Sequence, residues 1–135
     1  NKNQFCSNDL DTGSFNWKNK VNSNLRPILI EEYIFTVSLE GYLIVIDKKS
    51  GNIIRVTDIF KNFKKKKREK IKPVGLIIGL KNIYLTTDNG RLMIIDIKTG
   101  KTQSILKIDK DKISRPFILN ENLFVVKENA IIKLN

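Results

Sequence analysis

Histidine is absent from this 135-residue chain, and cysteine, methionine and tryptophan occur once each. Without histidine, neither a Ser-His-Asp nor a Cys-His nucleophile system can be built. A structural zinc site of Cys and His ligands is excluded on the same ground. With Cys6 alone, no internal disulfide forms, so cysteine usage does not report the compartment. No apolar run approaches the roughly 18 residues of a membrane-spanning helix. The longest, such as Tyr42-Leu43-Ile44-Val45-Ile46, have the length of a strand. The opening Asn1-Lys2-Asn3-Gln4-Phe5-Cys6 lacks a charged-then-apolar secretion pattern. The chain does not start with Met, so it reads as an excised or mature piece, and export stays open. The residues before Cys6 match a lipid-attachment site poorly, so Cys6 is read as a plain thiol in an N-terminal strand.

What is present suffices for a core. Hydrophobic residues make up 41% of the chain and charged residues 29%, an ordinary globular balance. The net charge is +11, but residues 61–72 hold eight basic residues and one Glu, which places most of that charge in one segment.

An internal repeat organises the rest. Gly41-Tyr-Leu-Ile-Val-Ile-Asp47-Lys-Lys-Ser50-Gly51 aligns with Gly90-Arg-Leu-Met-Ile-Ile-Asp96-Ile-Lys-Thr99-Gly100. A truncated copy, Asp9-Leu10-Asp11-Thr12-Gly13, lies near the start. The only three prolines stand at spacings of 46 and 43 residues, in Arg26-Pro27-Ile28, Lys72-Pro73-Val74 and Arg115-Pro116-Phe117. A period in the forties with four short strands reads as a propeller blade. Each position has a physical reason. Asp-x-x-Ser/Thr-Gly is turn chemistry: the Asp side chain accepts turn N–H groups and Gly supplies positive φ. The strands after Gly41 and Gly90 are apolar at consecutive positions, as burial on both faces requires. A helix competes poorly; only 58–72 could hold one, and it lacks an apolar stripe.

These residues resemble the quinoprotein (PQQ-like) β-propeller repeat: strand, Asp-Gly or Asn-Gly turn, apolar strand, Asp-x-x-Thr-Gly, then Trp four residues after the Gly. Trp17 follows Gly13 at that distance, and the resemblance implies that it packs between blades. Arg55 and Ser104 stand at the same offset from Gly51 and Gly100, where the family pattern has Trp. Such drift is that of scaffold members. Among these, the chain most resembles the periplasmic propeller lipoproteins of outer-membrane β-barrel assembly. The resemblance implies an all-β, partial β-propeller of about three antiparallel blades. It also implies a noncatalytic protein-interaction scaffold, periplasmic and near the outer membrane, with an outer-membrane assembly component as partner and no cofactor. The enzymatic alternative is part of a PQQ-dependent dehydrogenase. Members of that kind use adjacent cysteines, a calcium carboxylate cluster and a catalytic Asp. This chain has no Cys pair, and Asp9, Asp11, Asp109 and Asp111 lack calcium-loop spacing.

The expected organisation is an outer strand of a preceding blade in 1–21, a blade in 22–60, a basic inter-blade insertion in 61–70, a blade in 71–109 and an incomplete blade in 110–135. Three blades do not close a ring. The open arc leaves apolar faces, through which self-association is expected. No catalytic, cofactor or metal residue is assigned. Gly13, Trp17, Gly41, Asp47, Gly51, Gly90, Asp96 and Gly100 are read as repeat structure. Lys61, Lys64, Lys65, Lys66, Lys67, Arg68 and Lys70 are read as a solvated insertion or a contact for an anionic lipid, nucleic acid or acidic protein patch. Only Phe63 is interleaved there as an aromatic, which does not make a stacking platform for single-stranded nucleic acid.

Overall fold

The computed structural model describes residues 4–8 and 15–134, with side chains from Lys20 onward. Asp9, Asp11 and Gly13 lie outside the described residues, as does the Trp17 side chain. β1 (Gln4–Asn8) and β2 (Phe15–Lys20) form an antiparallel pair in which Cys6 faces Lys18 and Ser7 faces Trp17. β3 (Ile28–Ile30), β4 (Tyr33–Val37), β5 (Tyr42–Asp47) and β6 (Ile53–Asp58) follow as a four-stranded meander. After α1 (Lys65–Lys70), a second meander comprises β7 (Pro73–Ile78), β8 (Asn82–Thr87), β9 (Arg91–Asp96) and β10 (Thr102–Lys107). β11 (Phe117–Leu119), β12 (Asn122–Lys127) and β13 (Ala130–Leu134) form a three-stranded sheet. The chain is thus all-β, a partial propeller with antiparallel sheets of four, four and three strands. Gln4–Asn8 forms the N-terminal strand expected to hold Cys6, whereas part of the basic segment, expected as an insertion without a helix, is helical.

The repeat positions explain the turns. Gly41 and Gly90 adopt φ of +94° and +76°, as the hairpins between β4 and β5 and between β8 and β9 require. After β5, the Asp47 carboxylate accepts the Ser50 amide at 2.9 Å and the Ser50 hydroxyl at 2.7 Å. After β9, Asp96 accepts the amides of Lys98 and Thr99 at 2.8 and 2.9 Å. Pro73 opens β7, while Pro27 and Pro116 immediately precede β3 and β11, the positions where a missing N–H costs a sheet least.

Burial follows the consecutive apolar pattern. Phe35, Val37, Leu43 and Val45 of the first full blade pack with Leu76, Ile83, Leu85, Met93 and Ile95 of the next. Ile44 and Ile46 turn to the opposite face of the first blade, against Val21. One blade therefore contributes to two interfaces. Arg55 joins the same two blades at their rim. Its guanidinium donates to the Ile97 carbonyl at 3.0 Å and to the Lys98 carbonyl, so a polar clasp stands where the repeat pattern has Trp. Ser104, at the matching position on β10, is exposed.

The turn carboxylates make stability acid-sensitive. Hydrogen bonds from Ser50 hold the Asp47 pKa below its ordinary value, and those from the Thr99 and Lys98 amides act likewise on Asp96. A folded-state pKa below the unfolded one stabilises above the unfolded value and ceases to do so as pH falls through the folded value. The urea midpoint is therefore expected to fall as pH drops below about 4, and to fall less steeply in Asp47→Asn/Asp96→Asn. Equal acid loss in both proteins would contradict this assignment.

Candidate interaction surfaces

The loops at 21–27, 38–41, 59–72, 88–90 and 108–116 gather at one end of the arc. Leu39 donates to Asn22 O at 2.7 Å, Ile59 to Gly41 O at 3.0 Å, Asp88 to Lys72 O at 2.9 Å and Ile108 to Gly90 O at 2.9 Å. The basic segment stands on this end. Its root is apolar: Phe60 is fully buried under Gly41 and meets Phe63 edge-on at 5.5 Å.

The basic residues divide into an anchored Arg68 and exposed lysines. Arg68 donates to Asp58 at 2.7 Å and to the Glu40 carbonyl at 3.2 Å, and its guanidinium lies 5.4 Å from the centre of the Tyr42 ring. The hydrogen bond to Asp58 raises the Arg68 pKa. Arg68 thus fastens α1 to the first full blade. Lys61, Lys64, Lys65, Lys66, Lys67 and Lys70 are exposed. No residue of α1 is buried, so the helix has no apolar stripe; its Arg68 anchor holds it to the body. Lys65 and Lys72 border a recess of about 420 Å³ with Leu39 and Glu40.

A second surface was not singled out by the sequence. β6 is the outer edge of its sheet, bonded only to β5. It exposes Ile53, Ile54 and Val56 by 47%, 53% and 53%. The equivalent edge, β10, shows Gln103, Ser104 and Lys107 to solvent with one apolar residue, Leu106, a mostly polar defence against strand addition. Beside β6 lies a recess of about 300 Å³ lined by Tyr33, Phe35, Val45, Ile54, Arg55 and Ile97. An unpaired backbone edge with apolar side chains and a neighbouring pocket is suited to receive an extended segment. β10 carries no comparable row. Apolar residues are also exposed on the last sheet, with Ile131 at 68% and Leu119 at 57%.

Asp47 and Asp96 each serve their own turn and do not converge on a common site. Asp109 instead pairs with Lys127 at 3.3 Å. Among the described residues, no group of three or more Cys, Asp or Glu side chains is placed to hold a metal ion.

Residues 1–57 match a family model described as outer membrane protein assembly factor BamB. BamB from Moraxella catarrhalis superposes with a TM-score of 0.74 at 13% identity, covering 97% of this chain and 37% of that one. The chain is a partial β-propeller whose first 57 residues resemble the BamB family model. The propeller domain of Myceliophthora thermophila Cps50 (Swd1) matches at 0.68 and 15% identity, over 92% of this chain and 42% of its own. Quinohemoprotein alcohol dehydrogenase ADHIIG from Pseudomonas putida matches at 0.59 and 18% identity, over 78% and 17%. The chain spans less than half the length of each of these proteins. No curated protein sequence matches it. At these identities the structural likenesses establish the fold, which scaffolds and enzymes share.

Proposed function

We propose that this chain is a noncatalytic protein-interaction scaffold that assists outer-membrane β-barrel protein assembly in the periplasm. The family match at residues 1–57 supports the biological setting. The observation that carries the mode of action is the apolar edge of β6. A partner segment adding beside β6 gains main-chain hydrogen bonds without demanding a particular sequence, while Ile54 and its pocket select an apolar side chain. Self-association through the exposed apolar residues of the last sheet is a competing use of the same physics.

The test is binding of purified outer-membrane assembly proteins to the immobilised chain. Ile54→Lys/Val56→Lys is expected to weaken binding at least tenfold, or about 1.4 kcal/mol. Gln103→Lys on the polar edge β10 is expected to leave it unchanged. Binding that ignores both changes would remove β6 from the mechanism. A second reading, contact with an anionic lipid surface or nucleic acid, draws on Lys64, Lys65, Lys66 and Lys67, which stay exposed while Arg68 is held by the body.

A further inference from the structure

The inner rim of the arc carries a feature the scaffold reading does not use. The chain enters the first strand of each sheet from β3 onward through a basic residue and a proline: Arg26-Pro27, Lys72-Pro73 and Arg115-Pro116. Lys72 faces the recess shared with Glu40, whose pKa is lowered by the hydrogen bond from the Asn22 amide and, less, by Lys72. Arg26 and Arg115 behave differently. Although two blades apart, they line one recess of about 130 Å³ across β7, with Asn24, Leu25, Val74, Gly75 and Leu76 completing its walls.

Gly75 permits this arrangement. A Cβ there would lie 2.2 Å from Arg115 Cγ and 2.5 Å from Arg115 Cα, so any side chain would push Arg115 away. Both arginines are exposed, and neither guanidinium has a hydrogen-bond or ion-pair partner among the described residues. Arg68, Arg55 and Arg91, by contrast, all donate to carboxylate or carbonyl oxygens. Two arginines lining one small recess, with no ion-pair partner among the described residues, favour an oxyanion, and the planar guanidinium matches a carboxylate. The volume admits a single side-chain carboxylate rather than a polycyclic cofactor. Leu25, Val74 and Leu76 supply apolar surface for the methylenes that carry it.

We propose that Arg26 and Arg115 form a receptor for an acidic side chain of a bound peptide at the inner rim. The proposal rests on the scaffold reading only in taking the acidic group from a protein; it does not require the β6 edge. The test is titration of the full chain with Ac-Leu-Glu-Leu-NH2, following the Nε–Hε resonances of both arginines by NMR. The two resonances are expected to shift together with one saturation curve. Arg26→Gln or Arg115→Gln alone should weaken binding at least fivefold, and Ac-Leu-Gln-Leu-NH2 should not bind. Neither arginine is buried, so these variants are expected to fold as the parent does. Ile54→Lys/Val56→Lys should titrate like the parent, which separates failure of the edge from failure of this site. Equal binding of the glutamine peptide would overturn the proposal. So would displacement by equimolar inorganic phosphate, which would mark a simple anion site, or shifts confined to Lys64, Lys65, Lys66 and Lys67.

Discussion

Gly90→Ala is expected to destabilise the chain by about 3–5 kcal/mol, at the top of the range for single substitutions. Two effects combine. The φ of +76° is strained for any L side chain, at about 1–3 kcal/mol. The added Cβ would also lie 2.1 Å from the Asp109 carbonyl oxygen and 2.5 Å from that of Asp111. Both are backbone atoms of the segment that leads into the last sheet, so relief requires moving that segment. Gly100→Ala separates the two effects. Its φ is +75°, nearly the same, but its nearest contact is the Thr57 hydroxyl at 2.6 Å, a side chain that can rotate. Urea unfolding of the two variants should therefore show a clearly larger loss for Gly90→Ala. Equal losses would mean that the backbone approach at Gly90 contributes nothing.

Phe60→Ala is expected to cost about 3–5 kcal/mol, the usual range for deleting a fully buried ring. Phe60 fills the space against Gly41 and supports Phe63, and both belong to the core shared by the two full blades. Its loss should be felt first at the basic loop, which is otherwise held by buried Ile59 and Ile71 at its two ends and by the polar contacts of Arg68 near the surface. Exposed ion pairs of that kind contribute about 0–1 kcal/mol. Limited trypsin digestion under native conditions should cut within residues 64–68 of Phe60→Ala much faster than in the parent. Arg68→Gln should show a smaller rise. A Phe60→Ala chain with the parent's midpoint and digestion rate would show that the loop does not depend on this ring.

The repeat was legible because its residues answer local demands. Positive φ at Gly41 and Gly90 and the turn bonds of Asp47 and Asp96 arise within a few residues, so matching sequence gives matching structure. Consecutive apolar residues in β5 and β9 reported two-sided burial for the same reason. Other features depend on distant partners. α1 is six residues without an apolar face, and its anchor Asp58 lies in the preceding strand. β1, Gln-Phe-Cys-Ser-Asn, holds Cys6 in a strand as expected, but nothing within it names β2 as its partner. The Ile53-Ile54 pair looks like core in sequence, yet as the outer strand it has neighbours on one side only. The meeting of Arg26 and Arg115 depends on how three successive blades stack, which no local pattern encodes.

Amide hydrogen exchange with and without a bound outer-membrane assembly protein tests the scaffold mechanism most directly. β6 amides that point away from β5 are free in the unbound chain and should exchange rapidly. Binding by strand addition is expected to slow those in Ile53–Asp58 at least tenfold, with little change in β10. Protection confined to residues 64–67, with β6 exchanging as before, would contradict strand addition and place the contact on the basic helix instead.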